Sequence, residues 1–273
     1  WALSDPFADG EEGAPYLIDS EEKLWALSAR VMRGTSYGGK YFALDKDIDL
    51  QNPWSPIGTQ ESPFKGNFDG KGYTISGLEV TGNENYRGLF GYVSGATIKA
   101  LIVKGNVSGI NYVGGIAGYA AADTEFEGCT SFVKIKAQNY AGGIVGEAET
   151  KTSFKACENR GEVKGNGYVG GVAGRVQQEV RFEDCSNSGD INGYSDIGGI
   201  CGGRDQNLLT FIRCSNTGDI TADGAGSEAI NAQYAYAGGI LGKGGTDVRI
   251  EDCTNEGAIV AQGRFAGGIA DLE

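Results

Sequence analysis

Apolar residues in this chain fall in short pieces separated by Gly and polar residues, and one such piece keeps returning. Tyr140 to Gly146 reads YAGGIVG. Tyr112 to Gly118 reads YVGGIAG, Tyr168 to Gly174 YVGGVAG, Asp196 to Gly202 DIGGICG, Tyr236 to Gly242 YAGGILG and Phe265 to Ala270 FAGGIA. The second Gly falls at 115, 143, 171, 199, 239 and 268, in steps of 28, 28, 28, 40 and 29 residues. A Gly-Leu-Phe-Gly at Gly88 to Gly91 is an earlier copy. A fixed period near 28 is the mark of a stacked-repeat architecture.

Other columns keep the same period. Cys129, Cys157, Cys185, Cys214 and Cys253 align, each preceded three residues earlier by Phe126, Phe154, Phe182, Phe211 or Ile250. Two residues after each Cys stand Ser131, Asn159, Asn187, Asn216 and Asn255; four after stand Val133, Gly161, Gly189, Gly218 and Gly257. Six after come Ile135, Val163, Ile191, Ile220 and Ile259. Each unit thus offers three short extended pieces, around Gly-Gly-Ile, Phe-x-x-Cys and Gly-x-Ile. The pattern predicts an all-β chain, a right-handed parallel β-helix of three-strand coils of about 28 residues, handed by the crossover rule. Successive coils would sit about 4.8 Å apart, with like residues on like. The Asn column predicts a ladder of side-chain amides.

Ahead of the repeats, Leu24, Leu27, Ser28 and Val31 share one helical face, with Trp25 and Met32 beside it. Asp19 or Ser20 as N-cap and Glu21 and Glu22 in the first turn predict one helix over 21–32, stopped near Gly34. Such a helix would cover the open apolar end of the first coil. Tyr41 to Leu50, Trp54 to Gly58 and Phe64 to Val80 read as strands between turns. The expected layout is a lead-in and capping helix over 1–40 and a β-helix over 41–273 folding as one unit with it. Within the latter, 41–87 would form irregular first coils and 88–271 the repeats. Residues 267–271 begin a coil that is not finished, so further repeats or another domain are expected C-terminal to it.

Composition narrows the choice. Gly makes up 47 of 273 residues, too many for helical repeats. Leucine-rich repeats share the length, but a repeated Leu-x-Leu is missing. The balance of 23 basic against 36 acidic residues gives a net charge of −13, which opposes nucleic acid and anionic lipid as partners. No apolar run approaches the ~20 residues of a membrane span, so no membrane insertion by this stretch is expected. Histidine is absent, which excludes a Ser-His-Asp triad and a His-Glu-x-x-His zinc site from these residues.

The Gly-Leu-Phe-Gly at 88–91 followed by Gly-Gly-Ile-x-Gly copies resembles the GLUG-motif repeat family of bacterial surface proteins. The upstream segments PYLIDSEEKLWAL, DIDL, W-x-PIG and FDGKGYTISGL resemble the lead-in these proteins place before their repeats. The resemblance implies surface exposure and adhesion-like roles, extracellular at the bacterial cell surface, associated with the outer membrane, or secreted. Its partner would be a host or bacterial surface glycan or protein. Related repeats also occur in large bacterial immunoglobulin A proteases, whose zinc motif is missing here.

Candidate chemistry is sparse. The aromatic column Tyr112, Tyr140, Tyr168 and Tyr236, continued by Phe265 and broken by Asp196, is the ligand-binding candidate. Facing outward, it would form a ribbon for sugar rings or a partner chain; the alternative is a corner stack shielding the sheet edge. The stacked cysteines read as buried reduced thiols, since parallel side-chain vectors hold neighbouring Cβ atoms too far apart for a disulfide. Asp45, Asp47 and Asp49 alternate along one strand face and read as solvated, with Ca²⁺ ligation the alternative. The long step places an insertion at 222–235, either a binding loop or a tolerated one. No cluster of acids with a basic partner shows in the sequence, so no catalytic residue, metal or cofactor is assigned. The expectation is a non-enzymatic surface module, stalk or ligand-binding, with a carbohydrate-active β-helix enzyme as the alternative.

Overall fold

The computed structural model describes residues 7, 10–204, 208–223, 236–245, 247–262 and 265–269. They form a parallel β-solenoid in which every strand pairs with the strand one coil away. Phe126 stands opposite Phe154, Phe154 opposite Phe182, and Phe182 opposite Phe211. Their buried rings stack at 5.2, 4.8 and 4.9 Å. Those separations are the inter-strand spacing itself, so the period of the sequence is the height of one coil.

Four parallel sheets run along the solenoid. The first, nine-stranded, carries the Phe column; the second, twelve-stranded, carries the Asn column. The Gly-Gly-Ile piece is bent at its second Gly, so its two limbs join separate six-stranded sheets. The limb before the bend, such as Asn139–Gly142, makes the Tyr sheet, and the limb after it, such as Val145–Ala148, makes the Gly sheet. Three expected pieces per coil therefore yield four sheets.

Single residues in left-handed backbone turn the chain at three recurrent places. One row is Tyr86, Tyr112, Tyr140, Tyr168 and Asp196, with φ between 53 and 60°. Another is Asp123, Lys151, Glu179 and Leu208, and the third, just before the Cys column, is Ala100, Ala156, Asp184, Arg213 and Asp252. One such residue reverses the direction of an L-chain without building a left-handed helix.

Within the mainly apolar interior runs one polar row. Asn159 Nδ2 donates to Asn187 Oδ1, Asn187 to Asn216 and Asn216 to Asn255, each at 2.7 Å. Each amide also donates to the carbonyl of the Gly two residues on. These side chains need the bend beside them to lack a Cβ. A Cβ on Gly143, Gly171 or Gly199 would lie 2.2 to 2.5 Å from the facing Asn amide atoms. The cysteines are all free thiols, buried except the half-buried Cys253. Burial pushes the Cys157 and Cys185 thiols well above their ordinary range.

At the N-terminal end, α1 (Glu21–Met32) is capped by the Ser20 hydroxyl, which accepts from Lys23 N at 3.3 Å. Its buried face of Leu24, Leu27 and Val31 packs over the next coil, where Trp25 meets Trp54 at 4.7 Å and Ser28 Oγ donates to Ser55 O. The strand Tyr16–Ile18 pairs with Tyr41–Leu44 and begins the Phe sheet. Trp54 to Gly58 differs from expectation. It makes a single bridge, Ile57 to Phe90, because Pro53 and Pro56 supply no N–H to a ladder.

On either side of the long step the register is kept: Ile191 faces Ile220, and Ile197 faces Ala237. The predicted insertion itself lies outside the described residues apart from Ala222 and Asp223. The same holds for the chain from residue 270 onward.

Candidate functional site

The tyrosine column faces outward at the corner where the Tyr and Gly sheets meet. Tyr86 and Tyr112 stack at 4.9 Å and Tyr112 and Tyr140 at 5.1 Å, while Tyr140 and Tyr168 lie tilted at 5.5 Å. All four rings are half-buried. Asp196 is buried in its place in the column, and Tyr236 beyond it is only 2% exposed. The structure thus brings Tyr112, Tyr140 and Tyr168 into one ribbon, extended at its N-terminal end by Tyr86, and sets Tyr236 apart from it.

A second row, on the Gly sheet, faces the first. Tyr92 pairs with Tyr119, Tyr119 with Glu147, Glu147 with Arg175, Arg175 with Gly203 and Gly203 with Lys243. Tyr119 lies edge-on to Tyr86 and Tyr112, at 5.7 and 5.3 Å, and stacks on Tyr92 at 4.7 Å. The Arg175 guanidinium sits over Tyr140 and Tyr168, at 5.1 and 5.8 Å, and Lys243 Nζ lies 4.8 Å over Tyr236. Cation and ring faces attract through the ring quadrupole. From coil to coil, the strip reads Tyr/Tyr, Tyr/Tyr, Tyr/Glu and Tyr/Arg.

Glycine lets the two rows approach. A Cβ on Gly146 would lie 2.4 Å from Val113 N, and one on Gly174 would lie 2.7 Å from both Ala141 N and Tyr168 O. In the copies ending at Gly118, Gly146, Gly174 and Gly202 the last Gly is therefore the contact between the Gly sheet and the left-handed tyrosine backbone.

Burial dominates the electrostatics. Glu147 is 3% exposed, and desolvation raises its carboxyl above the ordinary range, against the pull of Arg175 Nη1 at 3.3 Å and Gln177 Nε2 at 3.3 Å. Tyr119 OH donates to Glu149 Oε1 at 2.5 Å, and burial with that bond raises its phenol. Desolvation also lifts Tyr86, Tyr112 and Tyr168, and pushes Tyr92 up to about 12. All five phenols stay neutral donors at physiological pH.

Sequence reasoning found the first row and missed the second. Its signal was a constant offset, since Tyr119, Glu147, Arg175, Gly203 and Lys243 each follow their corner residue by seven positions. The side chains vary from unit to unit, so no column of like residues drew attention to them.

The aspartates do not converge. Asp47 Oδ1 accepts from Thr74 N at 2.7 Å, and Asp49 accepts from Ser76 Oγ and Gln51 Nε2, both at 2.8 Å. Among the described residues, no group of three or more Asp, Glu, Cys or His side chains is placed to hold a metal ion. Nor is any described helix long and apolar enough to cross a membrane.

A parallel β-solenoid with Gly-Gly bends, an internal amide ladder and an aromatic outer strip defines the class. The GLUG motif family matches residues 165–192, one full coil of the repeat. A protein of Evansella cellulosilytica named "Putative Gly-rich membrane protein" is 37% identical over 102 residues, which is 34% of this chain and 11% of that protein. The chain therefore spans about a tenth of that relative's length. The coil over 165–192 carries the GLUG motif. A crystal structure named as that of a "putative immunoglobulin A1 protease" from Bacteroides ovatus superposes with a TM-score of 0.71, over 96% of this chain and 86% of that one, at 20% identity. The likeness is one of fold.

Proposed function

We propose that this protein is a non-enzymatic module of the bacterial cell surface, adhesive in role, that engages a surface glycan or protein along the tyrosine-lined corner. The observation that carries the reading is the continuous run of half-exposed rings from Tyr86 to Tyr168 with the Arg175 guanidinium laid on it. Rigid rings with polar tips offer stacking area and hydrogen-bond donors at low entropic cost. A location at the cell surface or in secreted form is supported by the membrane-protein name of the Evansella relative. Wild type and the Tyr140→Ala/Tyr168→Ala variant should be compared on arrays of glycans and host-matrix proteins. At least one ligand should bind, with roughly tenfold weaker binding in the variant, the equivalent of about 1.4 kcal/mol. If nothing binds above background, the adhesive reading falls and a stalk remains.

One observation favours a second reading, a carbohydrate-active enzyme. Glu147, buried and with a raised carboxyl, lies beside Arg175 in a strip also lined by Glu149, and perturbed carboxyls of this kind cluster at catalytic sites. Release of sugar from acidic polysaccharides that is abolished by Glu147→Gln would establish it and displace the first reading.

A further inference from the structure

The outer face of the Asn sheet holds a row of cations that the tyrosine corner does not involve. On the Phe sheet, cations alternate with acids across coils. Lys99, Lys155, Arg181, Arg213 and Arg249 each have a carboxylate oxygen within 3.5 Å. The Asn sheet is built differently. Among the described residues, Lys104, Lys134, Lys136 and Lys164 have no carboxylate within the 4.0 Å of an ion pair. Lys136 and Lys164 stand directly opposite each other in register, a like-charge pair that lowers stability.

These cations converge. Lys134, Lys136 and Lys164 border one shallow depression, lined also by Val107 and Ile135 and by a single acid, Glu162. Alongside, the half-buried Phe132 ring has Lys104 Nζ at 5.1 Å and the Arg160 guanidinium at 5.3 Å from its centroid. Arg160 is the one member already held by an acid, Glu158 Oε1 at 2.7 Å. The protein carries a net charge of −13, so this concentration of unpaired positive charge is local.

We propose that this face binds an anionic polysaccharide through a short segment bearing carboxylate or sulfate groups, seated in the depression between Lys134, Lys136 and Lys164. The anions bridge Lys134, Lys136 and Lys164 and relieve their mutual repulsion, while the apolar face of a sugar packs on Phe132. The Phe132 ring selects the polysaccharide over duplex DNA, whose outer surface presents phosphates rather than the apolar face of a sugar. A flat anionic membrane is disfavoured by the C-terminal half of the same face, where Asp190, Asp219 and Glu256 are exposed.

The site lies on a different sheet from the tyrosine strip and stands independently of the function proposed above. Binding is measured on immobilised dextran sulfate, polygalacturonate, neutral dextran and a DNA duplex. The proteins are wild type, Lys134→Gln/Lys136→Gln/Lys164→Gln and Tyr140→Ala/Tyr168→Ala, with circular dichroism to verify the fold. The expected result is retention on dextran sulfate or polygalacturonate, absent on dextran and weakening as salt rises. The lysine variant should bind roughly tenfold more weakly and the tyrosine variant as wild type does. Equal binding to dextran, tighter binding to DNA, no binding to either anionic polysaccharide at low salt, or a folded lysine variant that binds undiminished would each overturn the proposal.

Discussion

Asn187 is the residue on which the interior most visibly depends. Its amide accepts from Asn159, donates to Asn216 and donates to Gly189 O, all while 1% exposed. Asn187→Ala would leave the Asn159 donor and the Asn216 acceptor facing an apolar methyl. Unsatisfied buried groups cost about 1–3 kcal/mol each, so chemical denaturation should show a loss of that order or more; an unchanged midpoint would show the ladder to be dispensable. Glu147 poses a different question. Its folded carboxyl sits above the ordinary value of 4.5, so folding favours the protonated form. That contribution is fully present below the ordinary value and is lost as pH rises through the folded one. Relative to Glu147→Gln, wild type should therefore lose thermal stability as pH rises above the ordinary carboxyl value of 4.5. A gap that stays constant over that range would refute the assignment.

At the level of the element, the Gly-Gly-Ile-x-Gly unit is a bend with three separate steric reasons for glycine. The first Gly passes a carbonyl of its own unit, the second faces the Asn ladder and the third touches the tyrosine backbone of the preceding coil. Gly174→Ala would place a methyl 2.7 Å from Ala141 N and Tyr168 O and must push the Gly sheet away from the Tyr sheet. Overpacking of this kind costs about 1–3 kcal/mol. Alongside the lowered melting temperature, the packing of Tyr140 against Tyr168 should loosen, seen as a change in near-ultraviolet circular dichroism. A variant with both properties unaltered would mean that the sheets tolerate separation. The repeat predicted the glycine columns, but the bend that splits one expected strand into two depends on these contacts between coils.

Over the whole molecule, the outer faces are charged in two different ways. Along the Phe sheet the order Asp69, Lys99, Glu127, Lys155, Glu183 alternates sign from coil to coil. Opposite charges directly across a ladder favour the native register, and a slip by one coil would set like against like. On the Asn sheet Lys136 faces Lys164 instead. Lys164→Glu should convert that repulsion into a pair and raise stability by roughly 0.2–1 kcal/mol. Equilibrium unfolding at low salt measures it; a stability that falls would mean that the two lysines are not in conflict.

The repeat period determined the architecture, because in a solenoid a residue's neighbour is its own equivalent one coil away. Spacing along the chain thus specified spacing in space. Phe126 to Phe211 and the Asn ladder were legible for that reason, and so was the tyrosine column of the candidate site, while the helix over 21–32 was legible from its own apolar face and N-cap. What lies across a corner is not encoded in the period. Glu147 meets Arg175 within a column whose residue type changes at each coil from Tyr119 onward, and Arg175 meets the tyrosines only because two sheets fold together at glycine contacts. Likewise Lys134, Lys136 and Lys164 are scattered letters in an acidic sequence, and it is the stacking of adjacent coils that gathers them beside Phe132.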